Sequence, residues 1–132
     1  MNAPATDIVT MLDGGSALGL TQGTNLFVSV LPEAPDAIVA VFDYSGDDPE
    51  QNFEYWRPAV QVRVRSARED YEIAYQLAMS IKALLVASHN VTIGDTRYIG
   101  IWSKGDIISL GRDGNQRTEL SMNFQIHRTT VT

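Results

Sequence analysis

The residue types that most often carry out chemistry are few and scattered in this chain. There are two histidines, His89 and His127, and no cysteine. Neither histidine stands at metal-ligand spacing or beside a recognisable nucleophile motif. The lack of cysteine excludes a disulfide framework and a thiolate metal site. We therefore predict that the protein is not an enzyme and holds no cofactor or metal.

Acidic residues gather between residues 43 and 57. Asp43, Asp47 and Asp48 lie close together in sequence, but their spacing lacks the alternation of ligands in a calcium-binding loop. No glutamate stands at the position from which it would bind the ion through both carboxylate oxygens. The same stretch holds four aromatic residues, Tyr44, Phe53, Tyr55 and Trp56. A long polar stretch of this kind is either a solvated loop or a functional arm. We predict an acidic interaction loop at about residues 43–57.

Two arginines share one face of the strand predicted from the sequence VQVRVRS at residues 60–66. Side chains alternate across a strand, so the valines face one side and Gln61, Arg63 and Arg65 face the other. These arginines can pair with acids of their own chain, face water, or bind carboxylates of another chain. The sequence leaves all three alternatives open.

Charge is divided unevenly along the 132 residues. Residues 1–56 contain nine acids and no lysine or arginine, whereas residues 57–132 contain all ten basic residues and seven acids. The two parts therefore carry −9 and +3, for a net charge of −6. Such asymmetry suggests that the two parts meet, either within one chain or between two copies. A protein this acidic, with scattered basic residues, is a poor candidate for binding nucleic acid through a basic surface.

Apolar periodicity predicts a single α+β domain over residues 1–132, with a mainly antiparallel sheet. A short helix at residues 4–13 and a long helix at about 68–87, with Ser66 as its N-cap, are expected to pack on one sheet face. The closing strand, residues 118–128, alternates cleanly, which is typical of a sheet with one covered and one wet face. No apolar run is long enough to cross a membrane, and no signal peptide is apparent. Further strands are predicted at residues 26–30, 37–42, 58–65, 90–93, 97–103 and 107–110.

Four stretches resemble one family of tailed bacteriophage proteins, the small tail terminators, also labelled minor capsid proteins. They are VFDYSG at 41–46, PAVQVRVR at 58–65, YEIAY at 71–75 and TRYIGIWSKGDIISLGRD at 96–113. With the closing strand, the likeness extends over about residues 36–128. The order of these pieces is more specific than any of them alone.

The resemblance implies a structural virion protein with no catalytic step. Members of this family form a six-membered ring at the head-proximal end of the tail tube, stop the addition of tube subunits, and offer a surface to the head connector. The implied partners are further copies of the chain, the tail tube protein and the connector proteins. DNA only passes through the central hole, assembly takes place in the host cytoplasm, and no membrane is involved.

A ring interface is head-to-tail, so two different patches of the chain must meet. We expect Arg63 and Arg65 to face the acidic 43–54 segment of a neighbouring copy, because arginine–carboxylate pairs fix orientation. Apolar anchors should supply most of the affinity, and the candidates are Phe53, Trp56 and Trp102. Candidates for the lumen or a partner-facing surface are Asp47, Asp48 and Glu50, since an acidic lumen repels DNA phosphates.

Two other interpretations fit the same sequence. The chain could be a head-completion or neck protein, which would lie one layer closer to the head. It could also be a monomeric α+β domain that binds a small ligand.

Overall fold

The computed structural model of the protein describes residues 1–14, 18–47 and 54–131. No helix in these ranges is long and apolar enough to cross a membrane. The elements in chain order are α1 (Pro4–Leu12), β1 (Leu26–Val28), β2 (Ile38–Asp47), β3 (Tyr55–Arg68), α2 (Tyr71–Ala87), β4 (Val91–Ile93), β5 (Thr96–Ser103), β6 (Ile108–Arg112) and β7 (Arg117–Thr130).

The strands form one sheet in the order β1-β2-β3-β7-β5-β4, and β6 pairs with the first part of β7. The long strands β3 and β7 lie antiparallel at its centre, with Val62 opposite Met122. β1 runs parallel to β2, with Phe27 opposite Ala40, so the sheet is mixed and the expectation of a mainly antiparallel sheet holds only in part. The parallel pair arises because residues 29–37 return the chain to the end of the sheet at which β1 began.

Both helices pack on the same face of the sheet, as predicted. The core between them and the sheet contains the predicted inward residues of β7, together with the valines of β3 and the buried stripe of α2: Leu120, Met122, Phe124, Ile126, Val60, Val62, Val64, Ala74, Ala78, Ile81 and Leu85. These side chains are between 0 and 3 % exposed. The period-2 pattern of the sequence therefore identifies the interior correctly, whereas the period-3.6 pattern is right for Ile81 and Leu85 but wrong for Ile73, which it placed on the same face and which is 67 % exposed.

The long helix begins later than predicted, at Tyr71 rather than about residue 68. Ser66 is not its N-cap, because β3 continues through this residue and buries it. The Ser66 hydroxyl instead accepts a hydrogen bond from the backbone N–H of Thr118, at 2.9 Å. Asp70 occupies the N-cap position without a capping side-chain hydrogen bond.

The predicted loop at residues 43–57 is largely strand. β2 extends to Asp47 and β3 begins at Tyr55, and the two strands pair through Tyr44 opposite Ala59 and, after a shift in register, Asp47 opposite Arg57. Polar composition suggested a loop, but the ladder continues because alternate residues still face opposite sides. The middle of this segment, residues 48–53, lies outside the described residues.

Candidate subunit interface

The sheet has a second face, opposite the helices, which we call the outer sheet face. Strand register places on it side chains from four neighbouring strands: Phe42 and Tyr44 of β2, Arg57, Gln61 and Arg63 of β3, Asn123, Gln125 and His127 of β7, and Trp102 of β5. The two most exposed aromatic residues are Tyr44, at 52 %, and Trp102, at 48 %. Polar side chains in the middle, flanked by partly exposed aromatic rings, suit contact with another macromolecule.

Arg63 lies within this outer sheet face and is half-buried. Its Nε donates a hydrogen bond to Oε1 of Gln61 at 3.0 Å, and its guanidinium carbon lies 5.8 Å from the centroid of the Phe42 ring. In the described part of the chain, no carboxylate lies within 4.0 Å of its guanidinium nitrogens. The positive charge of Arg63 is therefore held in place, and none of the described residues supplies it with an anionic partner.

Arg65 has a different environment from Arg63, although the two are adjacent on the same face. It is 3 % exposed. Its Nε donates to the carbonyl of Asp36 at 2.8 Å, and its Nη2 donates to the carbonyls of Pro32 at 2.6 Å and Pro35 at 2.8 Å. Burial, and to a lesser degree the nearby Arg117, lowers the pKa of Arg65. The structure thus uses Arg65 to fix the 32–36 turn inside its own chain.

A second buried arginine, Arg117, holds the same turn and was missed in the sequence analysis. It is 3 % exposed and forms ion pairs with Asp113 at 2.8 Å, Glu33 at 3.2 Å and Asp36 at 3.3 Å. Part of the acidic N-terminal half therefore meets part of the basic C-terminal half within one chain. The i, i+4 spacing of Asp113 and Arg117 across the hairpin turn was the available signal.

Trp102 lies across the outer sheet face rather than pointing away from it. Its ring centroid is 4.6 Å from that of His127, and the Tyr55 hydroxyl lies 2.7 Å from Nδ1 of His127. The indole also covers Gly100, where a Cβ atom would come within 2.7 Å of Cη2 of Trp102. Gly100 therefore lets the indole lie flat, with about half of its surface available for contact.

Replacing Gly100 with alanine should displace this indole. The added Cβ forces the ring to move, so we expect the Trp102 emission to shift to longer wavelength and the free energy of unfolding to fall by about 1–2 kcal/mol. The measurement is fluorescence in a Trp56→Phe background, in which Trp102 is the only tryptophan. Gly114→Ala is the control, because a Cβ there meets nothing within 4 Å. Unchanged emission in Gly100→Ala would contradict the described packing.

His127 makes stability depend on pH. Desolvation, and secondarily the charge of Arg57, lowers its pKa from the ordinary 6.5, while Asp47 opposes this shift. A lowered pKa in the folded state means that folding favours the neutral ring. The contribution of His127 to the free energy of unfolding is therefore complete above pH 6.5 and is lost as the pH falls through the lower pKa of the folded state. We expect the melting temperature to fall less between pH 7 and pH 5 in His127→Asn than in the original chain. Parallel curves would show that this histidine is not responsible.

The remaining candidates do not all share the outer sheet face. Trp56 is half-buried and lies opposite Arg128, which places it on the helix face of the sheet. Asp47 is exposed and lies opposite Arg57 on the outer sheet face. Three further candidates lie outside the described residues: Asp48, Glu50 and Phe53. The structure therefore brings together Arg63 and Trp102, and adds Phe42 and Tyr44, whose every-second-residue spacing was obscured by the acids beside them.

In the described ranges, most of the buried polar groups around α1 have hydrogen-bond partners, with the exception of Nε of Arg128. Asp7 of α1 is fully buried, accepts a hydrogen bond from the Tyr98 hydroxyl, and accepts another from Nδ2 of Asn2 at 2.9 Å. Arg128 donates to the Tyr98 hydroxyl at 3.3 Å, and burial raises the pKa of Tyr98 well above its ordinary value. This arrangement attaches α1 to the sheet. Within the described residues, no group of three or more His, Asp or Glu side chains could hold a metal ion.

Comparison with known proteins identifies a family and solved structures of the same fold. The family described as "Bacteriophage tail terminator protein" matches residues 6–130. A solved structure titled "Virion of native gene transfer agent (GTA) particle" contains a chain with the same fold, with a TM-score of 0.73 and 13 % identity, over 98 % of this chain and 100 % of that chain. Comparison with curated proteins gives no match.

The family match covers nearly the whole chain and includes every strand and α2. It agrees with the resemblance carried by the four sequence stretches. The chain therefore belongs to the bacteriophage tail terminator family, and it is a structural protein of the phage tail.

Proposed function

We propose that copies of this chain close into a ring, of six members by analogy with the family, at the head-proximal end of a phage tail tube. The ring stops the addition of tube subunits and presents its other side to the head connector. The observation that carries the proposal is the outer sheet face, which holds Arg63 without an anionic partner in the described residues and Trp102 half-exposed. Both features are expected of a surface that is covered on assembly.

The residues of this surface have different roles, which follow from the chemistry of their side chains. Large aromatic side chains commonly contribute most of the binding energy of an interface, so Trp102 is the principal anchor on one flank of the outer sheet face, with Phe42 and Tyr44 on the other flank. Arg63 fixes orientation through a carboxylate of the neighbouring copy and adds about 0–1 kcal/mol if it remains partly solvated. Trp56 lies on the helix face at the start of β3 and is therefore not part of this contact, and Phe53 remains a candidate anchor.

The acidic segment has a separate role in this proposal. Asp43 accepts a hydrogen bond from the backbone N–H of Ala5 at 2.9 Å, so its carboxylate is engaged within its own chain at the start of α1. We assign Asp47, together with Asp48 and Glu50, to the lumen of the ring. Every copy adds a formal charge of −6, and an acidic lumen repels DNA phosphates so that DNA slides through.

Electron microscopy of tails assembled without this chain tests the proposal. Tubes longer than normal are expected, because nothing then stops polymerisation. Tubes of normal length that lack heads would contradict it and indicate a neck protein instead. Normal particles would indicate that the chain acts elsewhere, as a ligand-binding monomer would.

A further inference from the structure

The outward side of α2 is unusually apolar for a helix that faces solvent. Of the large apolar residues that are most exposed, four belong to this helix: Tyr71 at 41 %, Ile73 at 67 %, Met79 at 43 % and Val86 at 45 %. Met79, Ala83, Val86 and Ala87, which we call the α2 stripe, border a shallow depression of about 380 Å³ beside Lys82. A helix that is apolar on both its inner and outer sides is normally covered on both.

Acidic residues lie at the start of α2 and so distinguish one end of the α2 stripe from the other. Glu69, Asp70 and Glu72 are all exposed at the start of α2, and Glu72 follows the outward side of the helix about two turns before Met79. The outer sheet face carries a positive charge that could pair with these acids, because no carboxylate of the described residues lies within 4.0 Å of Arg63. In the same orientation, the α2 stripe would face the exposed aromatic residues of the outer sheet face.

We propose that the α2 stripe of one copy packs on the outer sheet face of the next copy, with Glu72 beside Arg63 and Ala83 beneath the Trp102 indole. This inference rests on the proposed ring and names its two patches. The helix and the outer sheet face lie on opposite sides of the chain, so each copy can bind one neighbour through each of them. A contact of this kind is head-to-tail and is compatible with a closed ring.

The spacing of the two patches agrees with this pairing. Arg63 lies opposite Ser121, and Trp102 lies opposite Gln125 on the other side of β7. Four residues along a strand and two strand spacings across the sheet separate them by about 16–17 Å. On α2, the eleven residues from Glu72 to Ala83 rise by about 16–17 Å. Ala83 is small and stands between Met79 and Val86, so it leaves room for an indole.

Cysteine cross-linking tests the pairing, because the chain has no cysteine of its own. Gln76 and Asn123 lie near the midpoints of the two patches, and neither is an anchor. The double variant Gln76→Cys/Asn123→Cys is first bound to purified tails that lack the chain and is then mildly oxidised. It should give a ladder of covalent multimers that a reductant removes. Either single variant should give no ladder. The matched control is the double variant Thr92→Cys/Asn123→Cys, in which an exposed position on β4 replaces Gln76, and it should give no ladder either. Dimers from Gln76→Cys alone would show that two helices pair with each other and would overturn the proposal.

A charge exchange gives an independent result. Arg63→Glu and Glu72→Arg should each weaken binding to the tails at least tenfold, and the double exchange should restore it. Val86→Glu should abolish binding with the fold retained, because Glu is a good helix former, whereas Val30→Glu, comparably exposed in the segment after β1, should not. If Val86→Glu still binds and no ladder forms, the α2 stripe is not the second patch. That outcome leaves the function intact, whereas tubes of normal length without the chain would refute the function itself.

Discussion

Arg65→Met should lower the free energy of unfolding by about 3 kcal/mol and the melting temperature by about 10 °C. The guanidinium of Arg65 is buried and satisfies the carbonyls of Asp36, Pro32 and Pro35, which lie some thirty residues away in sequence. Methionine fills a similar volume but donates no hydrogen bond, so those carbonyls lose their partner and the 32–36 turn loosens. Thermal unfolding followed by circular dichroism measures the effect.

Arg63→Met is the matched control, because it removes the same charge from the same strand face two residues away. Among the described residues, Arg63 bonds to the Gln61 side chain and lies over Phe42, so its loss should change the free energy of unfolding by no more than about 0.5 kcal/mol. It should nevertheless weaken assembly onto tails. Equal destabilisation by the two substitutions would contradict the internal role of Arg65 and the outward role of Arg63.

Trp102→Ala should abolish assembly while the chain stays folded. The indole is 48 % exposed and packs over Gly100 and against His127, so its removal should reduce the free energy of unfolding by about 1 kcal/mol. As an interface anchor its loss should cost about 2–4 kcal/mol at each contact, or roughly 30- to 1,000-fold in affinity. Because every contact of a ring is affected, closure should fail altogether.

Co-sedimentation with tails purified from particles that lack the chain measures this loss. The control is Val30→Ala, which removes a comparably exposed apolar side chain, at 51 %, from the segment after β1. This control should bind as the original chain does. If Trp102→Ala binds equally well, the outer sheet face around Trp102 is not the interface.

Local periodicity predicted most of the interior of this protein, although Ile73, part of the predicted apolar repeat of α2, is exposed. The alternation of Leu120, Met122, Phe124 and Ile126 identified the buried face of β7, and the helical repeat identified α2. Both patterns depend only on neighbouring residues. The start of α2 was misplaced because β3 continues through Ser66, where pairing with β7 outweighs the capping preference of serine.

The different roles of Arg63 and Arg65 could not be predicted in the same way. Both stand at alternate positions of one strand, and only the long-range contact with residues 32–36 separates them. The parallel pairing of β1 with β2 likewise depends on where the intervening segment takes the chain. The outer sheet face was predicted to be polar, and its aromatic flanks became apparent only from the positions of Tyr44 and Trp102 in the sheet.

Reconstruction of assembled particles by cryo-electron microscopy tests the central claim most directly. We predict a single layer of this chain at the head-proximal end of the tail tube, closed into a ring, with Trp102 of each copy buried against the next. A particle in which the chain is a lone subunit, or in which Trp102 remains open to solvent, would contradict this account.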